Sequence, residues 1–93
     1  MIKSFKCKET EKIFKREFSK KLPHEIQQLS FRKLRMLNRS MIINDLKVPP
    51  GNKLEKLRSN REGQYSIRIN NQWRICFRWS GQDAHDVEIT DYH

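Results

Sequence analysis

The sequence predicts an α+β fold, in which a helical first half packs on a small antiparallel sheet formed by the second half. Apolar residues recur every three or four positions up to about residue 39, and they alternate with polar residues from residue 64 onward. Between these patterns, two prolines and a glycine in segment 48–52 can continue neither a helix nor a paired strand. A chain of 93 residues is short for two cores, so we interpret residues 1–93 as a single domain.

Two amphipathic helices are predicted in the first half. Thr10 precedes an apolar pattern that extends to Phe18, which favours a short helix over about residues 10–19. A longer helix is expected from Pro23, a residue suited to the first helical position, to about Arg39. The apolar face of this longer helix would consist of Ile26, Leu29, Ser30, Leu34, Leu37 and Met41.

The second half predicts three strands that follow a short extended stretch at 54–57. Apolar and polar residues alternate cleanly over 64–69 and again over 73–79. After a turn, a final strand is expected to begin at Val87 and to end near residue 91. Antiparallel neighbours joined by short loops would give a small sheet with the helices on one face.

The register of the central hairpin follows from which residues must share a face. A three-residue loop at 70–72 pairs Ile67 with Ile75 and keeps the apolar rows together, and its asparagines would tolerate left-handed backbone. The same register sets Arg68 opposite Arg74. Like charges directly across a strand pair repel each other, so an anion bound on that face would relieve the repulsion.

The charge balance points to a polyanionic partner, because 20 Lys and Arg against 11 Asp and Glu give a net charge of +9. Basic residues with interleaved aromatics are expected on the sheet face that the helices leave open, a combination typical of single-stranded RNA sites. Trp73 and Trp79 share parity with apolar core positions, and we interpret them as core. The residues predicted to bind RNA are Lys53, Lys56, Arg61, Arg68 and Arg78.

Cleavage of RNA by its own 2′-hydroxyl needs a proton acceptor, a proton donor and cations for the charge of the transition state. Arg58 and Arg74 can supply the positive charge. Tyr92 and His93 could transfer protons, and Glu55 is a possible general base.

Other chemistry is less well supported by the residues. The three histidines lack the ligand spacings of a zinc site and the glycines form no phosphate-binding loop, so we expect no metal and no cofactor. A nucleophilic pair of Cys76 with His85 or His93 stays open, although Cys76 is better explained as a small strand residue. The charged N-terminus lacks the apolar stretch of a signal peptide or membrane anchor, which favours a cytoplasmic protein.

Five short motifs follow one another along nearly the whole chain. They are MIKSF at 1–5, PPGNKLE at 49–55, LRSNREGQYSIR at 57–68, NQWRICF at 71–77 and DYH at 91–93. Together they resemble the HigB-type toxins of bacterial toxin–antitoxin modules, within the RelE-like superfamily. The Pro-Pro-Gly-Asn segment is most similar to the GraT-like branch.

The resemblance implies a RelE-like fold, a small antiparallel sheet with two N-terminal helices packed on one face. It also implies an mRNA endonuclease that cuts codons in the ribosomal A site without a metal, with catalytic roles for Arg58, Arg74, Tyr92 and His93. Relatives usually have a lysine at the position of Arg58, and some have a histidine at that of Glu55. The general base therefore cannot be carried over from those relatives.

The resemblance further implies partners. These are a HigA-like helix-turn-helix antitoxin, the 30S A site of the ribosome with its mRNA, and promoter DNA only through the antitoxin complex, with no membrane. Two alternatives remain open at this point. One is a non-catalytic basic domain that binds RNA or DNA, and the other is a toxin of the same fold that targets DNA gyrase.

Overall fold

The computed structural model describes residues 1–91, so the predicted roles of Tyr92 and His93 lie outside the described part of the chain. Its helices are α1 (Lys8–Phe14) and α2 (His24–Arg39), and its strands are β1 (Glu55–Lys56), β2 (Gln64–Arg68), β3 (Trp73–Ser80) and β4 (Asp83–Asp91). The strands form one antiparallel sheet in the order β1-β2-β3-β4. The predicted α+β fold, with two helices preceding a small antiparallel sheet, is confirmed.

The first helix differs from its prediction at both ends. Helix α1 begins before Thr10, whose buried hydroxyl accepts a hydrogen bond from the backbone N–H of Ile89 at 2.9 Å. The helix ends at Phe14 because Arg16 adopts left-handed backbone, with φ of 64°. Phe18 therefore leaves the predicted apolar face and is 59% exposed.

The second helix agrees closely with its prediction. Helix α2 ends at Arg39 as expected, and Pro23 precedes the first helical residue instead of being that residue. The expected face is buried at Ile26, Ser30, Leu34 and Leu37. Leu29 is exposed, and so is Met41, because the helix ends before Met41 and the chain turns away.

The predicted hairpin register is confirmed. Strands β2 and β3 pair Tyr65 with Phe77, Ile67 with Ile75 and Arg68 with Arg74. The loop closes differently from expectation, because neither of its asparagines adopts positive φ. Instead, Asn70 Oδ1 accepts hydrogen bonds from the backbone N–H groups of Gln72 and Trp73, both at 2.8 Å.

The last strand is longer than predicted, since β4 begins at Asp83 and not at Val87. An irregularity in its pairing with β3, near the left-handed Asp86, lets the strand continue past this point. Residues 1–6 run parallel to β4, with bridges from Ile2 to Ala84 and from Phe5 to Val87. These residues cover an edge that would otherwise expose unpaired backbone groups.

The hydrophobic core lies between the helices and one face of the sheet. Its buried members include Ile13, Ile26, Leu34, Leu37, Leu46, Ile67, Ile69, Ile75, Phe77, Ala84, Val87 and Ile89. Trp73 and Trp79 are partly buried against this core, in agreement with their interpretation as core residues. Within residues 1–91, no helix is long and apolar enough to cross a membrane.

Candidate functional site

The sheet face away from the helices is covered at its centre, and the prediction of an open face is wrong there. Ser66 and Cys76 point to this side, yet both are fully buried. Arg61 donates to Gln64 on β2 and to Glu88 on β4, so its side chain crosses β3 near Cys76. Long polar side chains, which alternation alone cannot place, replace solvent over the middle of the sheet.

Arg74 is the most constrained charged residue on this face, with only 7% of its surface exposed. Its Nε donates to the hydroxyl of Ser66 at 2.8 Å, and its Nη2 donates to the carbonyl oxygen of Lys53 at 2.7 Å. Its Nη1 lies 3.8 Å from a carboxylate oxygen of Glu55. These contacts hold the planar guanidinium in one orientation, since they engage it from several directions.

A cleft of about 280 Å³ opens beside Arg74. Its lining residues are Lys53, Glu55, Arg68, Asn70, Asn71 and Arg74. Three cations and one carboxylate converge there, which leaves a net positive charge. Such a cleft can bind a phosphate group, and the partial burial of its walls strengthens the attraction relative to open water.

The paired arginines at the edge of this cleft each have their own partners. Arg68 donates through Nη2 to Oδ1 of Asn71 in the hairpin loop. Arg74 is held from the other side by Ser66 and Glu55. The repulsion that the register predicts is therefore partly offset within the protein, and Glu55 stands where an incoming anion would compete for Arg74.

The remaining predicted basic residues do not join this cleft. Lys56 and Arg58 line a second cleft of about 480 Å³ with Leu57, Ser59 and Glu62. Arg61 forms an ion pair with Glu88 at 3.1 Å, and Arg78 lies 3.7 Å from Asp86. The structure thus brings together Lys53, Glu55, Arg68 and Arg74, and it places Arg58 in a neighbouring cleft.

Two residues that support the Arg74 cleft were missed by sequence reasoning. The alternation over 64–69 puts Ser66 on the same face as Arg68, and the hairpin register then makes it a neighbour of both Arg68 and Arg74. Asn52 lies in the segment 48–52, which the sequence predicts to be neither helix nor strand, yet it is fully buried. No sequence signal separates such an asparagine from a solvated turn residue.

Nucleophilic chemistry at Cys76 is disfavoured. Burial raises the pKa of the Cys76 thiol, which keeps it protonated near neutrality, whereas the thiolate is the nucleophile. Cys7 and Cys76 are both unpaired with another cysteine. Among residues 1–91, no group of three or more His, Cys, Asp or Glu side chains could hold a metal ion.

Solved structures of proteins from two bacteria share this fold. The chain superimposes on the YoeB–YefM toxin–antitoxin complex of Staphylococcus aureus with a TM-score of 0.62 and 23% identity, covering 100% of this chain and 95% of that one. YafQ from Escherichia coli gives a TM-score of 0.60 at 12% identity, covering 98% and 91%. At identities of 23% and 12%, the likeness shows the shared fold alone.

Sequence comparisons give the family. Residues 3–93 match the model of the HigB-like toxins, the RelE-like toxins of the type II toxin–antitoxin system HigB. Toxin HigB-1 of Vibrio cholerae is 39% identical over 80 residues, 85% of this chain and 84% of the relative. Endoribonuclease HigB of Proteus vulgaris is 32% identical over the full length of both chains.

The chain belongs to the HigB-like toxin family. This membership confirms the family resemblance and makes the chain one half of a toxin–antitoxin pair, with an antitoxin as partner. The finer similarity to the GraT-like branch stays a prediction.

Proposed function

We propose that the chain is an endoribonuclease that cuts mRNA on the ribosome. The observation that carries the proposal is the buried guanidinium of Arg74, fixed by Ser66 and the Lys53 carbonyl beside a cleft with two further cations. A preorganised cation of this kind stabilises charge that develops on a phosphate without reorganising during the reaction. The name of the Proteus vulgaris relative, an endoribonuclease, supports the same activity.

The proposed chemistry is attack of a ribose 2′-hydroxyl on the adjacent phosphate, without a metal or other cofactor. Arg74 holds the phosphate oxygens as negative charge builds on them, and Arg68 and Lys53 add to the positive field. Glu55, whose Oε1 lies 3.8 Å from Nη1 of Arg74, is proposed to accept the hydroxyl proton. Tyr92 and His93 remain candidates to protonate the leaving oxygen.

In this proposal the ribosome supplies the alignment of the reacting atoms, which a shallow cleft cannot impose. In-line attack needs the 2′-hydroxyl, the phosphorus and the leaving oxygen in one line, and a solvent-open cleft imposes little of that order. We infer that the 30S A site holds the mRNA in this geometry, while Arg58 and Lys56 in the second cleft bind a neighbouring phosphate. Arg61 and Arg78 then contribute to the long-range attraction of RNA.

The partner proposed for neutralisation is a HigA-like antitoxin with a helix-turn-helix domain. Promoter DNA would be bound only by the complex of toxin and antitoxin. A net charge of +9 speeds encounter with acidic partners and with ribosomal RNA alike. With these partners, the proposed activity would be cytoplasmic.

Mapping of mRNA 5′ ends after brief induction tests the proposal. Wild type should produce cuts within translated frames, and Arg74→Ala and a deletion of residues 92–93 should lose them at equal protein levels. Arg39→Ala, which removes an exposed arginine at the end of α2, is the matched control and should cut as wild type does. Growth arrest with DNA breaks and no mRNA cuts would support gyrase as the target, and salt-sensitive RNA binding without cleavage would support a binding domain.

A further inference from the structure

The loop before β1 is attached to helix α2 through one buried side chain. Asn52 ends the 3-10 turn Pro50–Asn52, and its Nδ2 donates to the carbonyl oxygen of Leu46 at 3.1 Å. Its Oδ1 accepts a hydrogen bond from Nζ of Lys33 on α2. An ammonium group can only donate, so Lys33 must face the oxygen of the Asn52 amide, while Nδ2 lies 3.1 Å from Sδ of Met36 on the same helix.

The next residue connects this attachment to the cleft. Lys53 has left-handed backbone, with φ of 44°, which is strained for a residue other than glycine and persists only where neighbours hold it. Its N–H donates to the carbonyl oxygen of Pro50 at 3.1 Å, and its own carbonyl oxygen accepts the 2.7 Å hydrogen bond from Arg74. The direction of that carbonyl therefore depends on how Asn52 is anchored.

Lys33 is not among the residues that line the cleft beside Arg74. It lies on α2, which packs on the opposite face of the sheet. Burial lowers the pKa of Lys33, as expected for an ammonium that has lost part of its hydration. The hydrogen bond to Asn52 compensates for that loss, so the two residues stabilise each other in this position.

We propose that Asn52, held by Lys33, is a positioning residue that sets the orientation of the Arg74 guanidinium through the carbonyl group of Lys53. The consequence for catalysis rests on the proposed RNA cleavage, whereas the geometric effect concerns the toxin by itself. Loss of the anchor lets Lys53 relax and turns its carbonyl away from Arg74. A displacement of about 1 Å can slow a reaction roughly 100-fold, so kcat should fall while KM for ribosome-bound mRNA stays nearly constant.

Hydrogen exchange at the Arg74 guanidinium tests the geometric part on the toxin alone. The Nη2–H resonances of Arg74, identified by their loss in Arg74→Lys, report the hydrogen bond to the Lys53 carbonyl oxygen. They should exchange slowly in wild type and about tenfold faster in Asn52→Ala. Asn38→Ala is the control, since it removes another partly buried asparagine amide. Asn38 lies on α2, as Lys33 does, and its Oδ1 accepts a hydrogen bond from the backbone N–H of Ile2 at 2.9 Å. In Asn38→Ala, the Arg74 resonances should exchange as in wild type.

Lys33→Met provides a second variant that keeps the Asn52 bond to Leu46, in case Asn52→Ala does not fold. Lys33→Met should also speed hydrogen exchange at Arg74 and lower kcat, with both effects smaller than in Asn52→Ala. Unchanged hydrogen exchange at Arg74 in Asn52→Ala would overturn the proposal, and the same result in Lys33→Met would do so if only that variant folds. Faster exchange at Arg74 with an unchanged kcat would also overturn it. If wild type cuts no mRNA, the proposed function fails, while the exchange measurement still decides the geometric part.

Discussion

At the scale of single residues, the central hydrogen bond of the site is that between Ser66 and Arg74. Ser66→Ala would leave the Arg74 Nε without this acceptor in a buried position, so the free energy of unfolding should fall by about 1–3 kcal/mol. Chemical denaturation measures this change. mRNA cleavage should fall as well, because Arg74 loses one of its fixed contacts.

Ser30 provides the matched control for that substitution. It is also a fully buried serine, but its hydroxyl has no hydrogen-bond partner among residues 1–91. Ser30→Ala should therefore leave stability unchanged or raise it by up to about 0.5 kcal/mol, since alanine is the better helix former. Equal losses in Ser66→Ala and Ser30→Ala would contradict the role given to the Ser66 hydroxyl.

The role of Glu55 as proton acceptor is a second prediction at this scale. Glu55→Gln keeps the size and polarity of the side chain and removes its basicity, so the cleavage rate should fall about 100-fold or more. The melting temperature should hardly change, because the Glu55 side chain is 50% exposed and its ion pair with Arg74 is worth little in water. Glu25→Gln, at an exposed position in the first turn of α2, is the control. Full activity of Glu55→Gln would assign the proton transfer to another group.

At the scale of elements, strands were predictable where parity leaves one answer. The register of β2 with β3 followed from the need to keep Tyr65, Ile67 and Ile75 on one face, since a slip by one residue turns an apolar row outward. The start of β4 was missed because the pairing irregularity at Asp86 interrupts the alternation there. Sequence alternation therefore predicts regularly paired strands and fails where the pairing is irregular.

The ends of α1 and the cover of the sheet were not predictable for a related reason. Arg16 ends the helix in left-handed backbone, which no composition rule expects of an arginine. Likewise, Arg61 and Arg74 cover the sheet face away from the helices through partners that are distant in sequence, Glu88 and the Lys53 carbonyl. The sequence thus identified most of the charged residues of the site, and only the structure separates them into two clefts.

The turn that leads into β2 gives a prediction at the same scale. Gly63 has φ of 89°, so Gly63→Ala should lower the free energy of unfolding by about 1–2 kcal/mol through backbone strain. The added Cβ would also meet Arg78 Nη1 at 3.0 Å, a contact that a flexible side chain can relieve. Gly51→Ala is the matched control, because nothing lies within 4 Å of its Cβ position and no positive φ is needed there. Thermal melting of both variants should separate them, and equal melting temperatures would contradict the strain argument.

At the scale of the whole molecule, the net charge of +9 opposes folding as well as attracting RNA. The protein extends 31 × 26 × 25 Å, whereas the Debye length falls from about 30 Å at 0.01 M salt to about 10 Å at 0.1 M. At low salt, positive charges therefore repel one another across the whole folded chain, and the expanded unfolded chain feels this repulsion less. Added salt should stabilise the folded toxin.

The melting temperature should accordingly rise by several degrees between about 0.01 and 0.1 M NaCl, the change expected for about 1 kcal/mol in a domain of this size. Loss of the ion pairs to screening should not reverse this trend, because most of them involve exposed side chains. The triple variant Lys3→Glu, Lys20→Glu and Lys47→Glu changes three exposed lysines and lowers the net charge by 6, from +9 to +3. Its melting temperature should depend less on salt. If the melting temperatures of the two proteins depend equally on salt, salt acts through hydration and not through charge. If the variant shows the weaker salt dependence and also inhibits translation more slowly, the same positive surface charges lower the stability of the toxin and attract RNA.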